Sequence, residues 1–587
     1  MAKMNKVDVV TVGAGWTAAI LAMKLTAAGK KVVSLEAGPA RFADPQFAHD
    51  HDPLRYGARK EMMWDISKES WTWRPNPKAV SLPLRQFGSF HPGRGIGGAS
   101  AHWSAMWWRF YQSDFKYKTH YEQKYGKGKF PEGSTIQDWP ISYAELEPYY
   151  HQSDYDIGAS GKAGNINGKI IPGGNVFEEP RQGPYPLPPL AVTIPSQFFE
   201  KATTQLGYHP FPQPAGIVSQ AYQDPFGNFR SGCLYCGYCT RYGCEVDAKS
   251  SAVTTHYPVA MKTGKYEVRT FAKVRRINIG QDGRATGVTY VDAQGQEQEQ
   301  PADIVILSAY TFSNVRLLLL SKSKEHPNGI GNDRNQVGRN YTYQLWETPA
   351  RGVWNNRLFN MYAGNTSTIN VIHDFNADNF DHSDLDFVGG ASIFSAIGER
   401  DPVSSPTDFP IDNANGWGAS WKDALRSGWD GMAEITIQGE SLPYTDQFLD
   451  LDPNYSDAFG DPLLRLTFDW HANDQKLYHF MADKVGGIMT AMGADKVSVK
   501  PDLGGYVIDK YQSTHATGGA IMGSNPGDSV TNKYGQVWDT PNVFVTGAAL
   551  YPQNPGANPT GTLVPLAYMA GDAIRDHYFR HKGELLV

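Results

Sequence analysis

The first forty residues constrain this chain most. Val7–Val12 is an apolar run entering Gly13-Ala14-Gly15-Trp16-Thr17-Ala18; an alanine- and leucine-rich segment follows to Ala28, Gly29 closes it, and Lys31-Val32-Val33-Ser34-Leu35-Glu36 regains strand character. Strand, glycine turn, helix and strand make one βαβ unit, the building block of a parallel sheet flanked by helices. Gly13, Gly15 and Ala18 occupy the small-residue positions of a dinucleotide fingerprint. Glu36 follows about twenty residues later, where a carboxylate reaches a ribose. The glycines admit a pyrophosphate to the helix N-terminus, and Glu36 is expected to accept both ribose hydroxyls. The competing reading is a helix-packing turn without a ligand.

A chain of 587 residues exceeds what one core supports, so at least two lobes share it. The net charge of -6 lacks the basic footprint of a nucleic-acid binder. No apolar run approaches the roughly 20 residues of a membrane span. Met1–Lys6 leads straight into the first strand and does not read as a cleavable signal.

Residues 158–214 are rich in Gly, Pro and Asn and read as long loops or an inserted cap. Strand patterns return over 264–310 and are expected to rejoin the first sheet. Residues 345–505, rich in Trp, Phe, Asp and Asn, read as a substrate-facing lobe. The expected division is a first nucleotide-binding part (1–150), a loop-rich cap (151–230), a cysteine segment with the second nucleotide-binding part (231–344), a substrate lobe (345–505) and a C-terminal nucleotide-binding part (506–587).

All four cysteines, Cys233, Cys236, Cys239 and Cys244, lie within twelve residues, leaving none for a long-range disulfide. C-x2-C-x2-C-x4-C is tight thiolate spacing of the kind that wraps an iron–sulfur cluster, with tetrahedral zinc as the competing metal.

A second glycine run, Gly93-Arg94-Gly95-Ile96-Gly97-Gly98-Ala99-Ser100-Ala101-His102-Trp103, offers backbone amides for another anion cradle. Together with the βαβ start, Val337-Gly338-Arg339-Asn340 and the late Asn558-Pro559-Thr560-Gly561-Thr562, it stands in the order seen in the glucose-methanol-choline oxidoreductases, which this chain resembles over nearly its whole length. The resemblance implies an α/β fold, with a Rossmann-like FAD lobe beside an α+β substrate lobe built on an antiparallel sheet. It implies FAD in place of NAD, held by Gly13, Gly15, Ala18, Glu36, Arg94, Gly97, Gly98, Ser100, His102, Val274, Gly547, Ala548, Asn558 and Thr560. His102 matches a segment in which some members bond the flavin covalently; a histidine packed beside the flavin is the alternative. His515 and Asn558 match the family's active-site pair. A histidine near its free pKa of about 6.5 takes the hydroxyl proton, while the asparagine orients the hydroxyl.

The cysteine run is similar to that of bacterial gluconate 2-dehydrogenase flavoproteins and their relatives acting on sorbitol, 2-ketogluconate or glycosides. This likeness implies a [3Fe-4S] cluster ahead of [4Fe-4S], with one cysteine then a bystander. It also implies a small signal-bearing subunit, a multihaem cytochrome c subunit, membrane contact through those partners alone, and work at the periplasmic face. The expected substrate is a sugar acid, sugar or polyol, with D-gluconate foremost. An oxygen-using oxidase of the same fold and a non-catalytic flavin–cluster relay are the rivals. One departure stands out: where family members often continue with Asp-His after Val337–Asn340, this chain has Tyr341-Thr342-Tyr343-Gln344. Trp103, Trp107, Trp108 and Arg109 could stack on or clamp a sugar, or form core.

Overall fold

Val7–Val12 is the centre of a mainly parallel sheet, flanked by Val32–Leu35 and, on the other side, by the second half of the long strand Glu297–Leu307. Tyr266–Arg269 extends the sheet beyond Val32–Leu35, and Val543–Val545 extends it beyond Leu307. The first half of Glu297–Leu307 pairs instead with Ala285–Val291, which pairs with Lys273–Ile279, giving an antiparallel meander. The computed structural model describes residues 2–40, 61–396 and 416–585, apart from 68, 87, 361 and 365, together with 52, 54, 406 and 409.

The helix Trp16–Ala27 is buried on nearly every side, because it is wedged between the sheet and the helices His256–Lys262 and Thr560–Ala573. Its alanines let those neighbours approach. Gly29, at φ +85°, ends it: Gly29 N donates to Thr26 O and Lys30 N to Leu25 O, satisfying carbonyls that the helix leaves open.

The second lobe is a six-stranded sheet in the order Lys496–Val499, Leu345–Val353, Met432–Gly439, Ala391–Ala396, Asn370–Ile372 and Phe211–Pro212, every pair antiparallel. The helices Ala472–Ala491 and Ile194–Gln205 pack against it. The stretch read as loop-rich thus holds a regular helix and an edge strand of this sheet; Pro195 at the helix start supports that turn, although proline-rich flanks disguise it. One contiguous apolar core joins the lobes, from Val10 and Val12 to Ile435 and Met489. Among the described residues no helix is long and apolar enough to cross a membrane.

Candidate active site

A cleft runs along the C-terminal ends of the parallel strands. Gly13, Gly15, Glu36, Gly97, Gly98, Ser100, His102, Val274, His515, Gly547, Ala548, Asn558 and Thr560 all line it. They come from five separate stretches of sequence, and the fold brings them to one wall. Ala18 and Arg94 stand outside it. Ala18 is fully buried one turn into the helix, and the Arg94 guanidinium turns toward Asp65 (3.8 Å).

The first turn of Trp16–Ala27 carries no side-chain cap, so its amides remain as donors facing the cleft. Gly13 has φ +90°, and a Cβ there would stand 2.9 Å from Ser308 O. Gly98, at φ +54°, lies against this turn, where a Cβ would be 3.3 Å from Gly15 Cα. Gly547, at φ +87°, has open space where a Cβ would stand. Bare backbone around uncapped amides fits a dinucleotide's pyrophosphate.

Glu36 serves differently from expectation. Its Oε2 accepts from Ala14 N (3.0 Å), and its Oε1 from Gly38 N (2.8 Å) and Gly95 N (3.1 Å). A carboxylate offers about four acceptor positions, so three amides leave room for one ribose hydroxyl and not two. Glu36 is the clasp between the two glycine runs.

His515 and Asn558 meet: Asn558 Nδ2 lies 3.3 Å from His515 Nε2. Both ends of this pair are oriented by neighbours. Gln344 Nε2 donates to Pro555 O (2.6 Å) and Ala557 O (2.9 Å), turning its Oε1 toward His515 Nδ1 (2.5 Å). An amide oxygen only accepts, so His515 carries its proton on Nδ1 and presents a bare Nε2. Asn558 Oδ1 accepts from the Trp108 indole (3.0 Å), which directs its amino group to that nitrogen. Burial pushes the His515 imidazole down to about 3, correcting the expectation of an ordinary value. Trp346, from the six-stranded sheet, packs edge-on to the ring at 6.0 Å.

Of the other aromatic candidates, Trp103 lines the cleft and donates to Ser250 O (2.9 Å). Trp107 and Arg109 are core: Trp107 donates to Asp154 (2.7 Å), and Arg109 is locked to Glu147 (3.1 Å) and Asp154 (2.7 Å), out of reach of a sugar. A cation that sequence reading missed does line the cleft. Lys273, Arg275 and Arg316 there are paired with Glu69, Glu297, Asp457 or Asp461. Arg241 has no carboxylate partner among the described residues; its Nε is buried without a hydrogen bond, and its guanidinium lies 5.4 Å over the Tyr511 ring. No sequence pattern marks it apart from its place in the cysteine loop.

The cysteine loop abuts the same wall. Thr240 and Arg241, immediately after Cys239, line the cleft, and Arg241 N donates to His102 O (2.7 Å). None of the four cysteines is in a disulfide. Tyr235 N donates to Cys233 Sγ (3.3 Å) and Lys249 N to Cys244 Sγ (3.4 Å). Burial pushes the Cys239 thiol well up, with the other three cysteines adding to that rise against Lys249. Zinc would draw four sulfurs to about 2.3 Å from one ion, hence about 3.8 Å from each other. Among the described residues, the group of potential ligands whose atoms all lie within 4.8 Å of one another is His326, Asp333 and Asp539, and it contains no cysteine.

Residues 215–346 and 443–567 match the profile of the GMC oxidoreductases. The gluconate 2-dehydrogenase flavoprotein of Pantoea cypripedii is 41% identical over 100% of this chain and 96% of its own length. The fructose dehydrogenase large subunit of Gluconobacter japonicus is 26% identical over 97% of each chain. The solved pyridoxine 4-oxidase from Mesorbium loti shares the fold, with a TM-score of 0.61 at 16% identity over 97% of this chain and 99% of its own.

Proposed function

This chain belongs to the GMC oxidoreductase family, an FAD-dependent class acting on CH–OH groups, and from that premise we propose that it is the catalytic flavoprotein subunit of a sugar-acid dehydrogenase, with D-gluconate oxidised to 2-keto-D-gluconate. The observation that carries this reading is the pair of His515 Nε2 and Asn558 Nδ2 on the wall of a dinucleotide cleft. FAD, when bound there, supplies the acceptor for the hydride that leaves the carbinol carbon.

The chain's own residues do the rest. The secondary hydroxyl enters between His515 and Asn558, giving its O–H to Nε2 and accepting from the Asn558 amide. As the C–H bond breaks, the hydroxyl proton passes to Nε2, and the C–O bond becomes a carbonyl. Gln344 accepts from Nδ1–H throughout and stabilises the ring as it takes the second proton. Arg241 supplies the charge for the substrate carboxylate, which separates a sugar acid from sorbitol or a glycoside. The backbone around Gly13, Gly15 and Gly98, with Glu36 as clasp, holds the dinucleotide, and His102 packs beside the flavin or bonds to it.

The cysteine loop is read as the seat of an iron–sulfur cluster, [3Fe-4S] ahead of [4Fe-4S], passing electrons from the flavin to a cytochrome c subunit. The four-thiol donor set, the backbone N–H groups aimed at sulfur and the contact with His102 support it. One relative is itself named a large subunit, which favours a multisubunit enzyme; a small signal-bearing subunit and a periplasmic, peripheral location complete the proposal.

The test is anaerobic mixing of the purified enzyme with D-gluconate, sorbitol and a glucoside, following flavin absorbance, iron content and electron paramagnetic resonance. Bleaching by D-gluconate, with KM raised for D-gluconate alone in Arg241→Gln, supports the reading. Bleaching by sorbitol or the glucoside alone moves the substrate to that relative's class. Flavin without iron sinks the relay.

A further inference from the structure

Away from the cleft, the loop after the helix Thr311–Leu320 folds back on the flavin lobe. Its His326 is 4% exposed, and its Nε2 faces Gly283 O at 3.0 Å, with Thr540 Oγ1 at 3.3 Å. A carbonyl only accepts, so Nε2 carries a proton. In a neutral ring, Nδ1 is then bare; it is buried and has no hydrogen-bond partner. It points at two carboxylate oxygens, Asp333 Oδ2 at 3.8 Å and Asp539 Oδ2 at 3.9 Å. The three ligand atoms all lie within 4.8 Å of one another.

Three acceptors that converge with nothing donating between them call for a cation. Asp539 is arranged for one: Oδ1 is occupied by Gly331 N (3.0 Å) and Thr540 Oγ1 (2.9 Å), leaving Oδ2 to the gap. The Asp333 side chain is 40% exposed, which opens the gap to ions and water.

We propose that His326 Nδ1, Asp333 Oδ2 and Asp539 Oδ2 bind one divalent transition-metal ion of the Mn²⁺ or Zn²⁺ class, with water completing its shell. Bonds of about 2.1 Å span up to about 4.2 Å between two ligands, so the 3.8 and 3.9 Å separations from Nδ1 lie within reach of one ion, and the two carboxylate oxygens, within 4.8 Å of each other, close on it by side-chain rotation. An imidazole with two carboxylates suits these metals; Ca²⁺ takes oxygen alone, and the absence of thiolate disfavours softer ions. The ion ties the loop bearing His326 and Asp333 to the Asp539 segment leading into Val543–Val545, which delivers Gly547 to the cleft, while His326 Nε2 holds the turn at Gly283. The rival is a doubly protonated His326 held by the same two acids.

Mn²⁺ is the probe, because thiolates bind it poorly and the cysteine loop does not compete. Chelator-treated holoenzyme is titrated with Mn²⁺ at room temperature, and free Mn²⁺ is followed by electron paramagnetic resonance beside thermal melts. The expected result is one Mn²⁺ taken up per chain, displaced by Zn²⁺, with Tm raised. Asp333→Asn, at an exposed side chain, keeps the metal-free Tm and weakens uptake about tenfold or more; Asp539→Asn weakens it likewise. No uptake by the unaltered enzyme, or equal uptake by both variants, overturns the site and leaves the imidazolium.

Discussion

Gln344 decides which nitrogen of His515 faces Asn558 and, in the proposed reaction, the substrate. Gln344→Glu places a full negative charge against Nδ1–H, which favours the imidazolium. The unaltered ring, held at about 3 by burial, stays neutral and competent from weakly acidic pH upward, so kcat/KM has no acid limb from this group near neutrality. In Gln344→Glu the limb moves upward by about one pH unit or more, and a pH profile of flavin reduction checks it. His515→Ala removes the proton acceptor and slows flavin reduction about 10²–10⁴-fold, with flavin content unchanged, as stopped-flow bleaching measures. His515 and Asn558 were legible because they sit in recognisable local motifs. Gln344 was not, because its role depends on carbonyls 211 and 213 residues away. Arg109 stayed open for the same reason: Trp-Trp-Arg reads as a sugar clamp or as core until the helix Tyr143–Ile157 supplies Glu147 and Asp154 and settles it as core.

The glycine turn and the cysteine loop show how far an element can be read. The turn was plain, since strand, glycines and helix follow one another without interruption. Gly13→Ala puts a Cβ against Ser308 O at a backbone angle that alanine rarely adopts, and flavin absorbance per chain is expected to fall sharply in the folded variant. The cysteine loop was legible in composition but not in shape. Tyr235, Arg241 and Asp247 all have positive φ, and none of the three is a glycine that would announce it. What holds the loop is Lys249, 2% exposed, whose ammonium donates to Trp103 O (3.0 Å), Cys239 O (2.6 Å) and Tyr242 O (2.7 Å). Lys249→Met leaves three carbonyls without that donor and loosens the loop from the His102–Trp103 segment. Iron content is expected to drop while flavin content persists; loss of both together would mean the lysine supports the whole lobe.

Across the whole molecule, buried titratable groups set the acid response, and they pull in two directions. Burial holds His256, His373 and His515 at about 3, so below about pH 6.5 the unfolded chain binds protons that the folded one refuses, and stability falls with pH. Burial also raises Asp114 and Asp474 to about 7 and Asp156 to about 6, so the folded chain keeps protons that the unfolded chain releases above about pH 4. The strain from these acids is greatest at neutral pH and is relieved as pH falls. Between about pH 4 and 6.5 three imidazoles oppose these three carboxyls and Glu440, which burial pushes well above the usual carboxylate range, so the loss from the histidines is offset or slightly exceeded. Below about pH 4 the acids are protonated in both states, and the imidazoles act alone. Asp378 joins them, since hydrogen bonds from His120, His382, Lys124 and Tyr125 outweigh its burial and hold it below the usual carboxylate range, a stabilisation lost as it protonates. Thermal melts in a buffer series are therefore expected to give a Tm that holds level or rises slightly from pH 6.5 to 4 and falls steeply below. A Tm declining steadily from neutrality would mean that the carboxyls do not offset the histidines. Replacing His373, which lies outside the proton-transfer pair, with Gln then separates the two sets: a steep fall that begins at lower pH in the variant assigns the collapse to the buried imidazoles.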